Sequence, residues 1–148
     1  MRHLLPVIAL CAALAAPATA VADANVTAPP VNNPDFEMGM QAVQAKDWAT
    51  ARYHLDIAAA AEPANPDILN LLGYTYRNQK DYVLAFKYYH EALRLNPDHK
   101  GAHEYIGEAY VLTGDKAKAR VHLQALERIC GQQCEEYIDL ARAIARAQ

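Results

Sequence analysis

Two cysteines near the carboxyl end of the sequence have the type and spacing to do chemistry. Three residues separate Cys130 from Cys134. Such a pair can form a disulfide, exchange electrons with other thiols, or hold a soft metal ion such as copper, with His122 two helical turns earlier as a further ligand. The spacing differs from the Cys-x-x-Cys of thioredoxin-like catalysts, and this disfavours redox catalysis.

The other titratable residues form no catalytic motif in the sequence. No Gly-rich phosphate loop, nucleophile elbow or pair of catalytic acids occurs. Five histidines follow the first twenty residues, and none combines with a second histidine and a carboxylate at zinc-hydrolase spacing. They are His54, His90, His99, His103 and His122. The sequence therefore predicts no catalytic residue, no cofactor and no metal site, and a protein that is not an enzyme.

Composition and charge limit the kinds of partner. The chain has 148 residues, of which 53% are hydrophobic and 21% charged, with a formal net charge of −3. These values describe one ordinary globular domain. Nucleic acids and anionic lipid surfaces attract clustered Lys and Arg, which this weakly acidic chain does not supply. Nucleic acid is therefore excluded as a predicted partner.

The first twenty residues have the pattern of a signal peptide. Arg2 is followed by an apolar run from Leu4 to Leu14, and small residues at 18–20 suit a signal peptidase. The run is too short to span a bilayer, so we expect cleavage near Val21 and no stable membrane insertion afterwards. Residues 21–33 are expected to be a flexible leader. Export to the periplasm or beyond favours a disulfide between the two remaining cysteines.

A period of 34 residues organises the rest of the chain. The same residue types recur at this step as glycines, alanines, aspartates and prolines. The recurring sets are Gly39, Gly73 and Gly107; Ala51, Ala85 and Ala119; Asp47, Asp81 and Asp115; and Pro63 and Pro97.

These residues resemble the tetratricopeptide repeat (TPR) family, whose unit is a helix–turn–helix of 34 residues. The middle unit matches the family pattern in order, at Leu69, Leu72, Gly73, Tyr76, Ala85, Tyr89, Ala92 and Pro97. The outer units depart from it, the first at Asp35 and Ala42 and the third at His103, Leu126 and Gly131. The resemblance implies an all-α solenoid of three repeats over residues 34–133, with units at about 32–65, 66–99 and 100–133.

Local sequence supports the helix boundaries and the packing. Asn33 and Asn65 each precede a proline, a pattern typical of a helix N-terminus. The three recurring aspartates are expected to cap the second helix of each unit. Glycine inside a helix costs about 0.5 to 1 kcal/mol relative to alanine, so each recurring glycine predicts a close approach between the two helices of its unit.

The last segment, residues 135–147, is predicted to be a capping helix. Tyr137, Leu140, Ala141 and Ile144 form an apolar stripe at helical spacing, and such a helix covers the exposed end of a solenoid. The stretch Cys-x-x-x-Cys-Glu-Glu-Tyr-x-x-Leu, which begins at Cys130, is also similar to the tail of short exported bacterial TPR proteins.

The resemblance also implies a binding groove, because the first helices of TPR units line a concave face that usually holds an extended peptide or a helix. Apolar contacts are expected in the first repeat and carboxylates in the third, which disfavours an acidic peptide and favours a partner with Lys or Arg near the third repeat. The expected groove residues are Phe36, Met40, Val43, Asn70, Tyr74, Arg77, Asn78, Glu104 and Glu108. Phe36 is equally expected to seal the first repeat.

The predicted function is a non-enzymatic protein–protein interaction module of the bacterial cell envelope, acting as an adaptor or assembly factor. The alternative is a copper or thiol-redox accessory protein that acts through Cys130 and Cys134. Self-association, with a second copy filling the groove, is a third hypothesis.

Overall fold

A computed structural model describes residues 33–147, and these residues form seven α-helices with no strand among them. The predicted signal peptide and all of the leader except Asn33 lie outside the described residues. The helices are α1 (Pro34–Gln44), α2 (Trp48–Ala61), α3 (Pro66–Asn78), α4 (Tyr82–Leu95), α5 (Lys100–Leu112), α6 (Lys116–Cys130) and α7 (Glu135–Arg146). The predicted all-α fold class is confirmed.

Side-chain caps fix where the helices begin. Asn33 Oδ1 accepts a hydrogen bond from the Phe36 amide at 3.1 Å. The side chain of Asn65 caps α3 in the same way. The three recurring aspartates each accept from the backbone amide three residues later and so begin α2, α4 and α6. The start of α5 has a different cap, because the Ala102 amide donates to Nδ1 of His99.

The recurring glycines mark close helix packing, but the third has a different neighbour from the one predicted. A Cβ atom at Gly73 would lie 2.6 Å from the ring of Tyr89, which is on the second helix of the same repeat. A Cβ at Gly107 would instead lie 2.5 Å from Leu140 of α7. The two helices of the third repeat still pack together, but the atoms nearest to Gly107 belong to the capping helix, which inserts the fully buried Leu140 there.

The order of helix contacts defines an inner face. The first helices of the repeats contact one another along the stack, α1 with α3 and α3 with α5, and α5 then contacts α7. Within residues 33–147, the backbones of α2, α4 and α6 do not approach one another in this way. Because a curved stack brings its elements closer on the inside, α1, α3, α5 and α7 line the concave face, here called the inner face.

One core runs through the whole stack. Its largest fully buried side chains include Leu55 of the first repeat, Tyr89 of the second, and Leu126 of the third, with Leu140 of the capping helix at the end. A continuous interior of this kind holds repeats together that could not bury their apolar faces alone. No helix within residues 33–147 has both the length and the apolar character needed to span a membrane.

Candidate functional site

The first repeat presents apolar side chains at the start of the inner face. Phe36, Met40 and Val43 on α1 are all half-buried. Phe36 and Val43 also pack against the central core. Both expected roles of Phe36, as part of the inner face and as a seal for the first repeat, are therefore compatible with its position.

Asn70 of the second repeat is not the exposed groove residue that the sequence predicted. Its side chain is 6% exposed. The cause is the glycine opposite: a Cβ atom at Gly101 would lie 3.2 Å from Asn70 Nδ2, so the start of α5 lies closely against α3 and covers the amide. The Oδ1 atom of Asn70 has no hydrogen-bond partner. Asn70 therefore belongs to the interface between repeats.

A row of three aromatic rings runs from the start of α2 onto the inner face. Tyr74 of α3 lies at its centre, with its ring centroid 5.9 Å from that of Trp48 and 4.7 Å from that of Tyr105. All three side chains are half-buried, so each packs on the repeats and still reaches solvent. These rings, here called the aromatic row, join the first repeat to the third.

Arg77 is held inside the aromatic row by its own chain. Its guanidinium carbon lies 4.9 Å from the ring centre of Tyr74 and 5.3 Å from that of Tyr105, within range of cation–π attraction. The same guanidinium donates to the Glu108 carboxylate and to the Tyr105 carbonyl. Its side chain is only 10% exposed. The charges of Arg77 and Glu108 therefore neutralise each other across two repeats. Neither side chain offers the free charge in the groove that the sequence predicted.

Asn78 is the most accessible of the predicted groove residues on α3. It is exposed, and its amide donates to the Tyr74 carbonyl at 2.8 Å. The bond ties Asn78 to the last turn of the helix and leaves the rest of its surface in contact with solvent. Because Asn78 is not part of the core, it can contact a ligand without any change in the packing of the repeats.

Glu104 is the carboxylate of the inner face that has no partner. Within residues 33–147 it forms no ion pair and no side-chain hydrogen bond, although it is half-buried. Burial, together with the negative charges of Glu108, Asp139 and Glu136, raises the pKa of Glu104 to about 8. The three neighbouring acids are each paired with a cation. Glu104 is therefore mostly protonated at neutral pH and is placed to receive a cation from outside.

An open cavity of about 430 Å³ lies where the carboxyl ends of α3, α5 and α7 meet. Arg77 and Glu108 border it on one side, and Val111 and Leu112 supply its apolar part. Leu112 is 61% exposed, which is high for a large apolar side chain. The cavity extends the inner face past the predicted groove residues and adds an apolar contact in the third repeat.

The cysteines form the disulfide that the sequence favoured, linking Cys130 to Cys134. The predicted copper ligand His122 has its Nδ1 atom 2.9 Å from Nδ1 of His103 and stacks on Tyr110. Burial, with His103 and His90 as further causes, lowers the pKa of His122 to about 4.

Three contributors to the inner face were missed from the sequence. Trp48 is the single tryptophan of the chain, and it directly follows the capping Asp47, so its rarity and its place near a helix start could have drawn notice. Tyr105 lies between two groove positions along α5 but turns its ring toward Tyr74. Leu112 follows a groove position by one helical turn, and its apolar type at a helix end was the available signal.

Comparison with family models agrees with the repeats found here. One model described as tetratricopeptide repeat matches residues 66–99, and a second with the same description matches residues 85–133. No curated protein matches the chain.

The fold and these matches define the class: an all-α solenoid built from helix–turn–helix repeats. The chain contains tetratricopeptide repeats, which the family models match over residues 66–133. Such repeats serve as protein–protein interaction modules and are typically non-enzymatic scaffolds, so the general function of this chain is to bind other proteins.

Proposed function

We propose that this protein is a non-enzymatic adaptor or assembly factor of the bacterial cell envelope that binds an extended peptide or a helix along its inner face. The signal-like first twenty residues and the disulfide support the proposed location. The proposed binding mode rests on the inner face, and the observation that carries it is the aromatic row.

The aromatic row has the properties of a binding anchor. Trp48, Tyr74 and Tyr105 are braced by one another and by Arg77, so their rings lose little conformational freedom when a ligand packs on them. Tyrosine and tryptophan dominate the energetic centres of protein interfaces for this reason. A partner segment that crosses the repeats would meet these rings near the middle of its path.

The charges of the inner face favour a partner that carries a cation. Arg77 already contacts the Glu108 carboxylate, so it offers little to an acidic tail. Glu104 has no partner in the described chain, and a lysine or arginine placed beside it would lower its pKa and form a charge-assisted hydrogen bond. We therefore propose a segment with apolar residues toward α1 and a Lys or Arg near α5.

The binding face can be tested by site-specific cross-linking in envelope-derived material. A photoreactive residue would replace Asn78 on the inner face or the exposed Lys87 on α4. We expect a discrete cross-linked partner from position 78 and none from position 87. Equal cross-linking from both positions would contradict binding on the inner face.

Two exposed apolar residues provide a matched pair of variants for the same test. Leu112 borders the inner-face cavity and is 61% exposed, whereas Val121 on α6 is 58% exposed. Leu112→Asp should weaken partner binding at least about tenfold if the cavity holds an apolar side chain, since an unpaired charge there would be desolvated. Val121→Asp introduces the same charge and should leave binding unchanged.

The proposed location has its own test. Cell fractionation and the intact mass of the mature chain would reveal whether processing occurs near Val21. Recovery of an unprocessed chain from the cytoplasm would contradict the proposed envelope location. That result would not test the proposed binding face.

A second candidate function is a soft-metal or thiol-redox accessory role at the cysteines. The ligand atoms of Cys130, Cys134 and Glu136 all lie within 4.8 Å of one another, which is close enough to share an ion once the disulfide is reduced. Titration of the reduced protein with Cu(I) would test this role. If the reduced protein does not bind Cu(I) and the disulfide persists in cells, the role of the two cysteines is structural only.

A further inference from the structure

The two helices of each repeat meet at a pair of positions 19 residues apart, one on each helix. In the second repeat, Leu69 and Tyr88 occupy this pair and pack together in an apolar cluster. In the third repeat, His103 and His122 occupy it, with their Nδ1 atoms 2.9 Å apart. The second repeat demonstrates that apolar side chains can hold the two helices together here, so the imidazole pair is not required for the fold.

The equivalent pair in the first repeat is also polar but chemically different. Nδ1 of His54 lies 2.8 Å from Oδ1 of Asp35. An imidazole and a carboxylate form a complete hydrogen-bonded pair, because one donates and the other accepts. The third repeat is therefore the repeat in which two ring nitrogens face each other.

The tautomer of His103 follows from its other nitrogen. Nε2 of His103 lies 2.9 Å from the carbonyl oxygen of Pro97. A carbonyl accepts hydrogen bonds and cannot donate them, so Nε2 carries the hydrogen and Nδ1 directs its lone pair at His122. Histidines that bind metal ions are held in this way, with the second ring nitrogen donating to a backbone carbonyl or carboxylate. His103 therefore has the tautomer of a metal ligand before any ion arrives.

His122 can supply the second lone pair. In the hydrogen-bonded pair, its Nδ1 carries the hydrogen that His103 Nδ1 accepts. Moving that hydrogen to Nε2 of the same ring gives the other neutral tautomer, and each Nδ1 atom then has a lone pair that a rotation of its ring would aim at an ion beside the line joining the two nitrogens. Imidazole nitrogens bind transition-metal ions at about 2.0 to 2.1 Å, so two of them at right angles around an ion lie about 2.9 Å apart. Right-angle placement is typical of the tetragonal geometry of Cu²⁺ and Ni²⁺.

His103 borders an open cavity, and His122 is half-buried beside it. The cavity, of about 450 Å³, is lined by His103 and by Pro97, Asp98 and Arg128. Asp98 and Arg128 contribute opposite charges, so affinity would depend mainly on the two rings.

We propose that His103 and His122 form a binding site for a divalent transition-metal ion, with Cu²⁺ preferred, inside the third repeat. Cu²⁺ is preferred because it forms the strongest complexes with nitrogen ligands in the divalent first-row series. The site is separate from the inner face and from the cysteines. A bound ion would join α5 to α6 and stabilise the repeat next to the capping helix.

Cu²⁺ titration of the full chain with its disulfide intact tests the proposal. Any protein that keeps the first twenty residues would also carry His3→Gln, because a histidine third from a free amino terminus can bind Cu²⁺ together with that amine. Electron paramagnetic resonance of the first bound equivalent should show two imidazole nitrogens on the ion. His122→Gln should weaken binding about tenfold or more, as expected for loss of a ligand.

A double variant separates metal binding from folding. His103→Leu with His122→Tyr copies the pair of the second repeat and should keep the helical content while binding Cu²⁺ at least about tenfold more weakly. His54→Gln alters the equivalent polar pair of the first repeat and should leave the affinity unchanged. A folded double variant that binds Cu²⁺ as tightly as its parent would overturn the proposal. So would a wild-type spectrum without two imidazole nitrogens.

Discussion

Replacing Glu104 with glutamine should change stability in a way that depends on pH. Glutamine keeps the shape of a protonated glutamate and cannot ionise. In the folded protein the pKa of Glu104 is raised from 4.5 to about 8, chiefly by burial and then by Glu108 and other acids. Below pH 4.5 the side chain is protonated in both the folded and unfolded chains, and the two proteins should then be about equally stable.

The difference should grow as pH rises from 4.5 to 8. In this window the unfolded chain releases the proton while the folded chain retains it, so the wild type loses stability with rising pH. Each pKa unit corresponds to about 1.4 kcal/mol, which sets an upper bound of about 5 kcal/mol. The side chain of Glu104 still contacts water, and solvent screening reduces the expected effect to about 1 to 2 kcal/mol.

Urea unfolding followed by circular dichroism at pH 4.5, 6 and 8 would measure this difference. Glu104→Gln should be more stable than wild type by about 1 to 2 kcal/mol at pH 8 and nearly equal at pH 4.5. Glu37→Gln, at an exposed position of α1, is the matched control for removing a carboxyl group from the surface. A gap that fails to widen with pH would refute the burial of an unpartnered carboxylate on the inner face.

Three further predictions concern the packing of the stack. Gly73→Ala should destabilise the protein by about 1 to 3 kcal/mol in urea unfolding, because the added methyl would overlap the rigid, buried ring of Tyr89; equal or greater stability would contradict the close approach. Leu140→Ala should cost about 2 to 5 kcal/mol and increase hydrogen exchange first in α5 and α7; uniform exchange throughout the stack would argue against local release of the cap. Reducing Cys130–Cys134 should lower the free energy of unfolding by about 2 kcal/mol; an unchanged value would remove its structural role.

The sequence was sufficient for the features that depend on local physics. Asp47, Asp81 and Asp115 cap helices as expected, because a cap involves a side chain and an amide three residues away. The 34-residue period was sufficient for the all-α solenoid, because a repeated pattern of small and large residues requires a repeated packing arrangement. Both kinds of inference need no knowledge of which side chains meet across repeats.

Features that depend on the meeting of repeats could not be read from the period. Leu140 takes the place beside Gly107 because α7 follows the third repeat with its own geometry, which no earlier repeat displays. Asn70 is covered because residue 101 happens to be glycine, on a different helix. The disulfide, in contrast, was predicted from two nearby cysteines, since its closure is almost local in the chain.

The charge available to a ligand on the inner face is decided by pairing across repeats. The positions of Arg77 and Glu108 within their repeats place both on the same face. The sequence alone therefore predicts that they offer a ligand one positive and one negative charge. The guanidinium is long enough to cross to the next repeat and contact the carboxylate, so both charges are largely neutralised. Glu104, one turn earlier on α5, is left with acidic neighbours whose own charges are already paired. A ligand therefore meets one unpartnered carboxyl group at this point, which can ionise when a cation is placed beside it, although the sequence alone suggested two free carboxylates.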